Sequence, residues 1–322
     1  MSVSVVMTTY NAGRNVTEQL NSLKNQTRVI DEVLIYDDGS SDSTTDIVKD
    51  FINNHKLSNW KFFKNASNKG WKQNFHDGVN AASSDFVFPC DQDDIWHLDK
   101  IENMEKIMLA NPDINVLVGR YHIFFDNDIP RKKMKKSLWE KVALLVDKVS
   151  EKKEVPLDKS MHKDSFSAAI LKIMPGCCFC VRKSFFNQIK QYWFPELGHD
   201  AFYTYFSKLT DSFAVFNDHV IEWRHHAGST SRPRGRQKST RLKEINGYLK
   251  VICALKSYLD KNTVKNKEQK TFILDKMESW CNLRKNFLES GNAFKGLRLF
   301  AYRKYYERNR AILTDWIYAF MK

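Results

Sequence analysis

The chain contains 322 residues, of which 42% are hydrophobic, and it carries a formal net charge of +13 at pH 7. This length suits one large α/β domain or a domain with an extension, and the apolar content is sufficient for a sizeable core. No stretch approaches the roughly 18 consecutive apolar residues of a membrane-spanning helix, so none is expected. The six cysteines lack the paired spacing of zinc ligands and do not resemble a disulfide scaffold, so buried free thiols are expected.

Strands and helices alternate in the first part of the chain. Runs rich in β-branched and aromatic residues predict strands at Ser2–Thr9, Val33–Tyr36, Lys61–Phe63 and Asp85–Cys90. Helical spacing and capping residues predict helices at Val16–Leu23, from Ser43 or Thr44 to Phe51, Asn74–Ala82 and Leu98–Leu109. This alternation predicts an α/β fold with a mostly parallel sheet and right-handed crossovers. Polar clusters after the first, second and fourth strands would then lie at one edge of the sheet.

Three carboxylates follow the predicted strand Asp85–Cys90, namely Asp91, Asp93 and Asp94. Ligands bind at the carboxyl ends of the strands in open α/β sheets, and like charges packed together there cost free energy unless a cation is present. Hard divalent cations such as Mg²⁺ prefer carboxylate oxygens and often share a site with phosphates. The alternative is an acidic loop that caps the next helix. These residues alone leave both interpretations open.

The C-terminal part of the chain is strongly basic. Between Arg232 and Arg310 there are 21 Lys and Arg residues against seven Asp and Glu residues. Apolar residues recur at helical spacing, which predicts helices within 242–259, 272–287 and 294–320. Such helices could contact an anionic membrane, with Trp280 and Trp316 as anchors if they are exposed. The alternative is a solvated basic face on helices that pack onto the catalytic domain or form a homodimer. No nucleic-acid motif accompanies the charge.

Two further stretches bear on location and substrate access. Met1 leads into the first strand without a basic leader segment, which favours a cytoplasmic protein, at most peripheral at the inner face of the membrane. Within residues 126–166, the basic run Arg131–Lys136 precedes an amphipathic stretch, Leu138–Val149. This stretch could be an acceptor-side flap, a membrane-touching helix or a surface insertion.

Seven motifs, in order, give the chain a family resemblance. They are Thr8-Thr9-Tyr10-Asn11, Ser22-Leu23-x-x-Gln26-Thr27, Asp37-Asp38-Gly39-Ser40-x-Asp42, Asn68-x-Gly70-x-x-x-Asn74, Asp91-Gln92-Asp93-Asp94-Ile95-Trp96, Pro175–Arg182 and Gly198-His199-Asp200. The chain resembles family 2 glycosyltransferases, which have the GT-A nucleotide-sugar fold. The fifth motif most resembles the rhamnosyltransferase-like branch of bacterial surface-polysaccharide synthesis. The resemblance implies a GT-A catalytic domain at 1–231, with a nucleotide-sugar half at 1–125 and an acceptor half at 126–231. A basic helical region at 232–322 would follow.

This resemblance implies an inverting glycosyltransferase that moves a sugar from a UDP- or dTDP-sugar to a hydroxyl group of a glycan or lipid-linked acceptor. Two alternatives belong to other classes. One is a catalytically inactive GT-A scaffold in a polysaccharide assembly complex, although the expected carboxylates are present. The other is a nucleotidyltransferase, although Thr8–Gly13 lacks the glycine-rich, basic triphosphate loop that such an enzyme needs.

The resemblance also implies roles for individual residues. Asp200 would be the general base, and Asp93, with Asp91 and His226, would bind Mg²⁺ or Mn²⁺. Asp94 would support the loop or cap the next helix. The nucleotide sugar would contact Thr8, Thr9, Tyr10, Asn11, Asp38, Gly70, Asn74, Asp91 and Arg224. Arg232 and Arg234 are further candidates for the diphosphate. The acceptor or sugar pocket would include Trp96, Gly176, Cys177 and His199.

Overall fold

The computed structural model describes residues 1–126, 161–164, 166–167, 173–226, 237–306 and 310–320. They form two compact units. The first unit contains described residues 1–126, 161–164 and 173–226, and the second contains 166–167, 237–306 and 310–320. The predicted domain boundary at residue 231, the basic run Arg131–Lys136 and the stretch Leu138–Val149 lie outside the described residues.

A nine-stranded sheet forms the centre of the first unit, with the strand order β3-β2-β1-β4-β8-β6-β9-β5 and β7 beside β9. Its strands are β1 (Val3–Thr9), β2 (Glu32–Asp37), β3 (Trp60–Lys64), β4 (Phe86–Cys90), β5 (Ile95–Trp96), β6 (Val116–Phe125), β7 (Met161–Lys163), β8 (Phe179–Arg182) and β9 (Phe213–His225). The first four strands are parallel, as predicted. Beyond β4 the sheet is mixed, because β8 runs antiparallel to both β4 and β6, whereas β9 runs parallel to β6.

The core of this sheet is continuous through β1 and β4. Every residue of both strands is buried, since helices cover parallel strands on both faces. Each fully buried Val or Phe side chain contributes about 1.5–3 kcal/mol relative to an exposed one. The predicted α/β fold class is therefore confirmed.

Six helices belong to the first unit: α1 (Val16–Lys24), α2 (Thr44–Asn54), α3 (Trp71–Ala81), α4 (Lys100–Ala110), α5 (Lys183–Ile189) and α6 (His199–Leu209). The predicted side-chain cap of α2 is wrong. Ser43 occupies the N-cap position without a side-chain cap bond, and Asp42 Oδ1 instead accepts the Thr44 backbone N–H at 3.0 Å. Thr44 Oγ1 accepts the Ala12 backbone N–H at 2.7 Å, so this hydroxyl joins two loops.

The described part of the second unit contains the helices α7 (Lys238–Lys261), α8 (Lys267–Ser290), α9 (Ala293–Arg298) and α10 (Arg310–Phe320), with a 3₁₀ segment at Leu299–Tyr305. Trp280 lies in its core at 1% exposure and stacks on Tyr305, with ring centroids 6.2 Å apart. Arg284 makes a two-point hydrogen-bonded ion pair with Asp315, and both are buried. A buried pair of this kind is satisfied only while both partners are present.

The predicted tryptophan anchors do not face solvent. Trp280 is buried, and Trp316 is half-buried against Phe287. The large apolar side chains that are exposed in this unit are instead Phe272, Phe294, Leu297, Phe300, Ile317 and Phe320. No helix in the described part of the chain is both long and apolar enough to span a bilayer.

All six cysteines lie in described residues and are unpaired. Five are buried and only Cys253 is exposed.

Candidate active site

The carboxyl ends of β1 and β2 are joined by buried polar contacts. Thr9 pairs with Asp37 in the sheet register, and Thr9 Oγ1 donates to Asp37 Oδ2 at 2.8 Å. Asp37 is fully buried and also accepts the Ser40 backbone N–H at 2.8 Å. Thr8 is buried as well, so neither threonine presents an exposed side chain at this edge.

Asp38 holds the loop that follows β3. Its carboxylate accepts the backbone N–H groups of Lys69 and Gly70, each at 2.8 Å, and the Asn65 side-chain amide at 3.0 Å. The same amide donates to Asn74 Oδ1 at 2.6 Å. Gly70 has a φ of 85°, which favours glycine, because side chains with a Cβ rarely adopt it. The predicted residues Asp38, Gly70 and Asn74 are thus brought together, through Asn65, which no sequence motif singled out.

Tyr10 and Asn11 form the turn at the end of β1. Gln92 Oε1 accepts the Tyr10 backbone N–H at 2.6 Å, which ties this turn to the carboxylate loop after β4. The Tyr10 side chain is 48% exposed. Asn11 has a φ of 48°, and its Oδ1 accepts the Ser41 backbone N–H at 3.0 Å. Gln92 was missed from sequence, although it lies between two predicted ligands.

Asp91, Asp94 and Cys177 form a cluster in which Asp94 and Cys177 are buried and Asp91 is half-buried. Their carboxylate oxygens and the Cys177 thiol lie within 4.8 Å of one another. Burial, followed by repulsion from Asp94 and Asp93, raises the pKa of Asp91 well above its ordinary value. Burial, followed by repulsion from Asp93, raises the pKa of Asp94 to about 7. The site therefore holds more negative charge than its surroundings offset.

Asp94 supports the loop and does not cap a helix. Its Oδ1 accepts the Arg224 backbone N–H at 3.0 Å, whereas α4 begins only at Lys100. Its Oδ2 is buried and accepts no hydrogen bond from the described residues.

Asp93 and His226 are in direct contact although 133 residues separate them in the chain. His226 Nε2 lies 2.7 Å from Asp93 Oδ2, and each side chain is 19% exposed. Carboxylate oxygens together with an imidazole nitrogen suit Mn²⁺, and the carboxylates alone suit Mg²⁺. A cation could also bind the Asp94 oxygen that accepts no hydrogen bond within the described part of the chain, and its charge would lower the raised pKa values of the carboxyl groups. The donor set therefore fits a divalent cation.

Lys100 is buried beneath the cluster, and sequence analysis did not identify it. Its Nζ donates to the Cys177 carbonyl at 2.5 Å and lies 3.2 Å from the centre of the Trp96 ring. Burial lowers the pKa of this lysine. Trp96 is only 2% exposed, and its place in the acceptor or sugar pocket stays a prediction. The indole packs beneath the site because the Lys100 ammonium occupies its face. Cys177 is buried too, with its thiol turned to the carboxylates.

Arg224 fixes the backbone of the carboxylate loop. Its Nε donates to the Asp93 carbonyl at 2.6 Å and its Nη1 to Asp126 Oδ1 at 2.7 Å, while Nη2 contacts Glu18. Only 7% of the side chain is exposed. Arg224 was predicted to bind the diphosphate, but in this structure three of its donors are used within the protein. Arg232 and Arg234 lie outside the described residues.

Asp200 and His199 begin helix α6. Asp200 Oδ1 accepts the Ala201 backbone N–H at 2.7 Å, and burial raises the pKa of this carboxyl. His199 is 4% exposed, and burial lowers its pKa to about 3, so the ring is neutral. Its ring packs on Phe75 with centroids 3.9 Å apart. Gly176 leaves room for it, because a Cβ at that position would lie 2.0 Å from His199 Nε2. The predicted pocket residues Gly176 and His199 are therefore neighbours.

Comparisons with known proteins agree with this architecture. The family model Glycosyl transferase family 2 matches residues 4–190. UDP-Glc:alpha-D-GlcNAc-diphosphoundecaprenol beta-1,3-glucosyltransferase WfgD from Escherichia coli is 34% identical over 130 residues, which are 40% of this chain and 49% of that protein. The chain spans about half or less of the length of the first curated relatives that it matches.

Two solved structures share the fold. S. aureus TarS in complex with UDP-GlcNAc has a TM-score of 0.59 at 19% identity, covering 99% of this chain and 81% of that chain. The mannosyltransferase PcManGT from Pyrobaculum calidifontis, in complex with GDP-Man and Mn²⁺, has a TM-score of 0.52 at 13% identity, covering 98% and 86%. At these identities the likeness concerns the fold.

We expect Asp94→Asn to remove a pH dependence from the stability of the metal-free protein. The pKa of Asp94 is raised from 3.8 to about 7 on folding, so folding favours its protonated form. Its contribution to the free energy of unfolding is present below pH 3.8 and is lost as the pH rises through about 7. Denaturant unfolding in a chelator between about pH 5 and about pH 8 should show a steeper loss for the parent than for the variant.

Asp46→Asn is the matched control, because Asp46 is exposed in the first turn of α2. It should retain the parent's pH profile. Identical profiles for the parent and Asp94→Asn would contradict the expectation.

Proposed function

The chain belongs to glycosyltransferase family 2, and from this membership we propose that it transfers a sugar from a nucleotide diphosphate sugar to a hydroxyl group of a glycan or lipid-linked acceptor. The product would be part of a cell-surface polysaccharide, and UDP- or dTDP-sugars are the proposed donors. The observation that carries the proposal is the contact of Asp93 with His226 beside Asp91, at the carboxyl edge of the sheet. Relatives whose names or complexes include UDP-Glc, UDP-GlcNAc and GDP-Man support the donor class. The rhamnosyltransferase-like branch stays a prediction.

The donor would lie across the ends of β1, β2 and β4. Tyr10 and Asn11 would meet the nucleoside, because the turn that they form is fixed by Gln92 and by Ser41. Asp38 Oδ2 accepts one N–H in the structure and retains a lone pair for a base N–H. Gly70 and Asn74, held on the same network, would shape the adjoining wall.

Asp93, Asp91 and His226 would hold Mg²⁺ or Mn²⁺. Such an ion, when bound, offsets the negative charge that develops on the diphosphate leaving group. Arg224 keeps the Asp93 backbone in place, and Lys100 supplies a buried positive charge beneath the cluster. Both would act by positioning the carboxylates rather than by touching substrate.

Asp200 would remove the proton from the acceptor hydroxyl. Burial raises its pKa, which brings this base closer to the pH at which it works. Attack by the deprotonated hydroxyl on the face opposite the leaving group would invert the anomeric centre. His199 stays neutral and packed behind Asp200, so it would shape the pocket without competing for the proton.

We also propose peripheral contact of the second unit with an anionic membrane at the cytoplasmic face. Phe294, Leu297 and Phe300 are 80%, 57% and 47% exposed and recur every third residue along α9 and the following 3₁₀ segment. Residues three apart are neighbours on the surface of an α-helix, and three residues make one turn of a 3₁₀ helix, so these positions share a face. Arg298, Arg303 and Lys304 in the same segment are exposed and basic. Exposed apolar rings with adjacent basic residues are typical of interfacial segments.

The donor class is tested by thermal unfolding of the whole chain with UDP, GDP, dTDP and their sugars, with and without Mn²⁺. A nucleotide that binds the folded state raises the midpoint by mass action. One nucleotide should do so more strongly with Mn²⁺. Stabilisation by nucleoside triphosphates but by none of the diphosphates or their sugars would favour a nucleotidyltransferase. Nucleotide binding without transfer to any acceptor would favour an inactive scaffold.

Asp93→Ala should abolish transfer and remove the Mn²⁺ dependence of nucleotide binding, because diphosphate and cation are held jointly. Calorimetric titration of the nucleotide with and without Mn²⁺ measures the effect. Asp46→Ala, which removes an exposed carboxylate from the same unit, should behave as the parent does. Metal-dependent binding that survives in Asp93→Ala would place the metal ligand elsewhere.

Asp200→Asn should preserve the fold and donor affinity and slow turnover about 10²–10⁴-fold, the range for loss of a general base. Asn retains the size of the side chain and an oxygen for the Ala201 N–H. Single-turnover transfer measures the chemical step, and nucleotide titration measures donor affinity. Turnover within a few-fold of the parent would mean that Asp200 only stabilises the helix terminus.

Vesicle co-sedimentation tests the membrane contact. The whole chain should bind anionic vesicles more than neutral ones, and binding should weaken at high salt because each basic residue contributes up to about 1 kcal/mol by a screened attraction. Phe294→Ser combined with Leu297→Ser should reduce binding. Phe272→Ser is the matched control, since Phe272 is 58% exposed on α8. Equal, negligible binding to both vesicle types at low salt would favour a packing or dimer role.

A further inference from the structure

A second group of metal-ligating side chains lies on the first unit, apart from the carboxylate loop. It consists of His97, His122 and Glu222, which come from three neighbouring strands in the order β6, β9 and β5. Glu222, on β9, pairs with His122 on one side and with Ile95 on the other. His97 follows β5 directly, and its backbone N–H donates to the Val220 carbonyl at 3.0 Å. The sheet itself therefore aligns the three side chains.

A local irregularity produces this alignment. Val118 pairs with Val215, so a regular continuation of the two parallel strands would place His122 opposite His219. The register shifts on either side of Arg120 and His122 pairs with Glu222 instead. β-Bulges of this kind redirect side chains and are frequent beside functional sites. His219 remains close, stacked on the His122 ring with centroids 3.6 Å apart.

The distances suit one shared ion. Glu222 Oε1 lies 2.9 Å from His97 Nε2 and 3.2 Å from His122 Nδ1, and all three ligand atoms lie within 4.8 Å of one another. Tetrahedral ligands at about 2.0–2.2 Å from Zn²⁺ stand about 3.4 Å apart. Only small movements of exposed side chains would be needed to place an ion between them.

The surroundings allow an ion to enter. The His122 side chain is 55% exposed, and those of His97 and Glu222 are about one-third exposed. An open cavity of about 360 Å³ adjoins the cluster and is lined by Arg120, Tyr121, Met174, Val215 and His219. Arg120 is directed to Asn217, with Nη2 3.1 Å from Asn217 Oδ1.

We propose that His97, His122 and Glu222 bind a borderline transition-metal ion such as Zn²⁺, with solvent in the remaining position. Two imidazoles and one carboxylate are a ligand set that Zn²⁺ and Co²⁺ accept and that Mg²⁺ does not prefer. Along β9, Glu222 lies four residues before His226, roughly 13 Å away, so the two sites are separate. A bound ion would join β5, β6 and β9, the strands that flank the carboxylate loop.

Ion binding at this cluster does not depend on the proposed function. It rests on these three side chains, and its test uses neither nucleotide nor sugar. In the alternative, Glu222 only accepts hydrogen bonds from two imidazoles and no ion binds.

The test is titration of the tag-free whole chain with Co²⁺ and Zn²⁺ at saturating Mg²⁺. Co²⁺ reports its geometry through visible absorption, and Zn²⁺ affinity is measured by competition with a chromogenic chelator. The parent should bind one equivalent at this site and show the absorption of four-coordinate Co²⁺. His97→Gln, His122→Gln and Glu222→Gln should each lose that absorption and weaken Zn²⁺ binding at least about 100-fold, since even outer-shell changes cost 10–100-fold.

His55→Gln is the matched histidine control, because His55 follows the last residue of α2 and its Nδ1 lies 3.0 Å from the Phe51 carbonyl oxygen. It should bind as the parent does, and so should Asp93→Asn, which alters the other site. Circular dichroism and the melting midpoint establish that each variant is folded, and the midpoint of the parent should rise with Zn²⁺ while those of the three variants should not. A parent that binds no Co²⁺ or Zn²⁺ equivalent, or folded variants that bind as the parent does, would overturn the proposal.

Discussion

Three carboxylates at the end of one buried strand repel one another, and the surrounding structure is arranged to offset that repulsion. Asp94 is buried and Asp91 is half-buried, and burial together with repulsion from neighbouring carboxylates raises the pKa of both carboxyl groups. Lys100 is a buried basic residue next to the cluster, and burial lowers the pKa of its ammonium group. A bound cation would offset this repulsion, which is the physical basis of the proposal that a divalent cation and a diphosphate bind here.

Strand β9 makes this arrangement possible. It carries Arg224 and His226 to the carboxylate loop from more than 120 residues away in the chain. The Arg224 guanidinium donates to the Asp93 carbonyl, and the Arg224 backbone N–H donates to the Asp94 carboxylate. The same guanidinium also contacts the carboxylates of Asp126 and Glu18. One buried arginine thus connects the loop to β9, β6 and α1. A change at Arg224 would therefore alter the backbone of the carboxylate loop.

The second unit has a packed aromatic core and a surface that carries both apolar and basic side chains. Its large aromatic residues Trp280 and Tyr305 form a core around the Arg284–Asp315 pair, which leaves neither charge in contact with water. Its exposed face presents smaller apolar groups on a short helix among basic residues. The strong positive charge of the C-terminal region is therefore compatible with an ordinary packed helical core. In the proposed membrane contact, Phe294, Leu297 and Phe300 rather than a tryptophan would meet the lipid.

Local pattern predicted four strands and four helices of the first 110 residues, the parallel order of those strands and the polar edge at which Asp38 and Asp91 lie, but it missed the short strand β5. The reason is that alternation and capping are properties of neighbouring residues. Family resemblance added Asp93, His226 and Asp200, and the structure places the first two in contact. Tertiary structure alone decided which side chains are buried and which distant strands adjoin. In the tertiary structure Trp96 packs against Lys100, and the Asp94 carboxylate accepts the Arg224 backbone N–H. Trp280 is buried, and His97, His122 and Glu222 lie together. Those contacts depend on strand order, a register shift and long-range packing, and none of these can be predicted from the periodicity of the sequence.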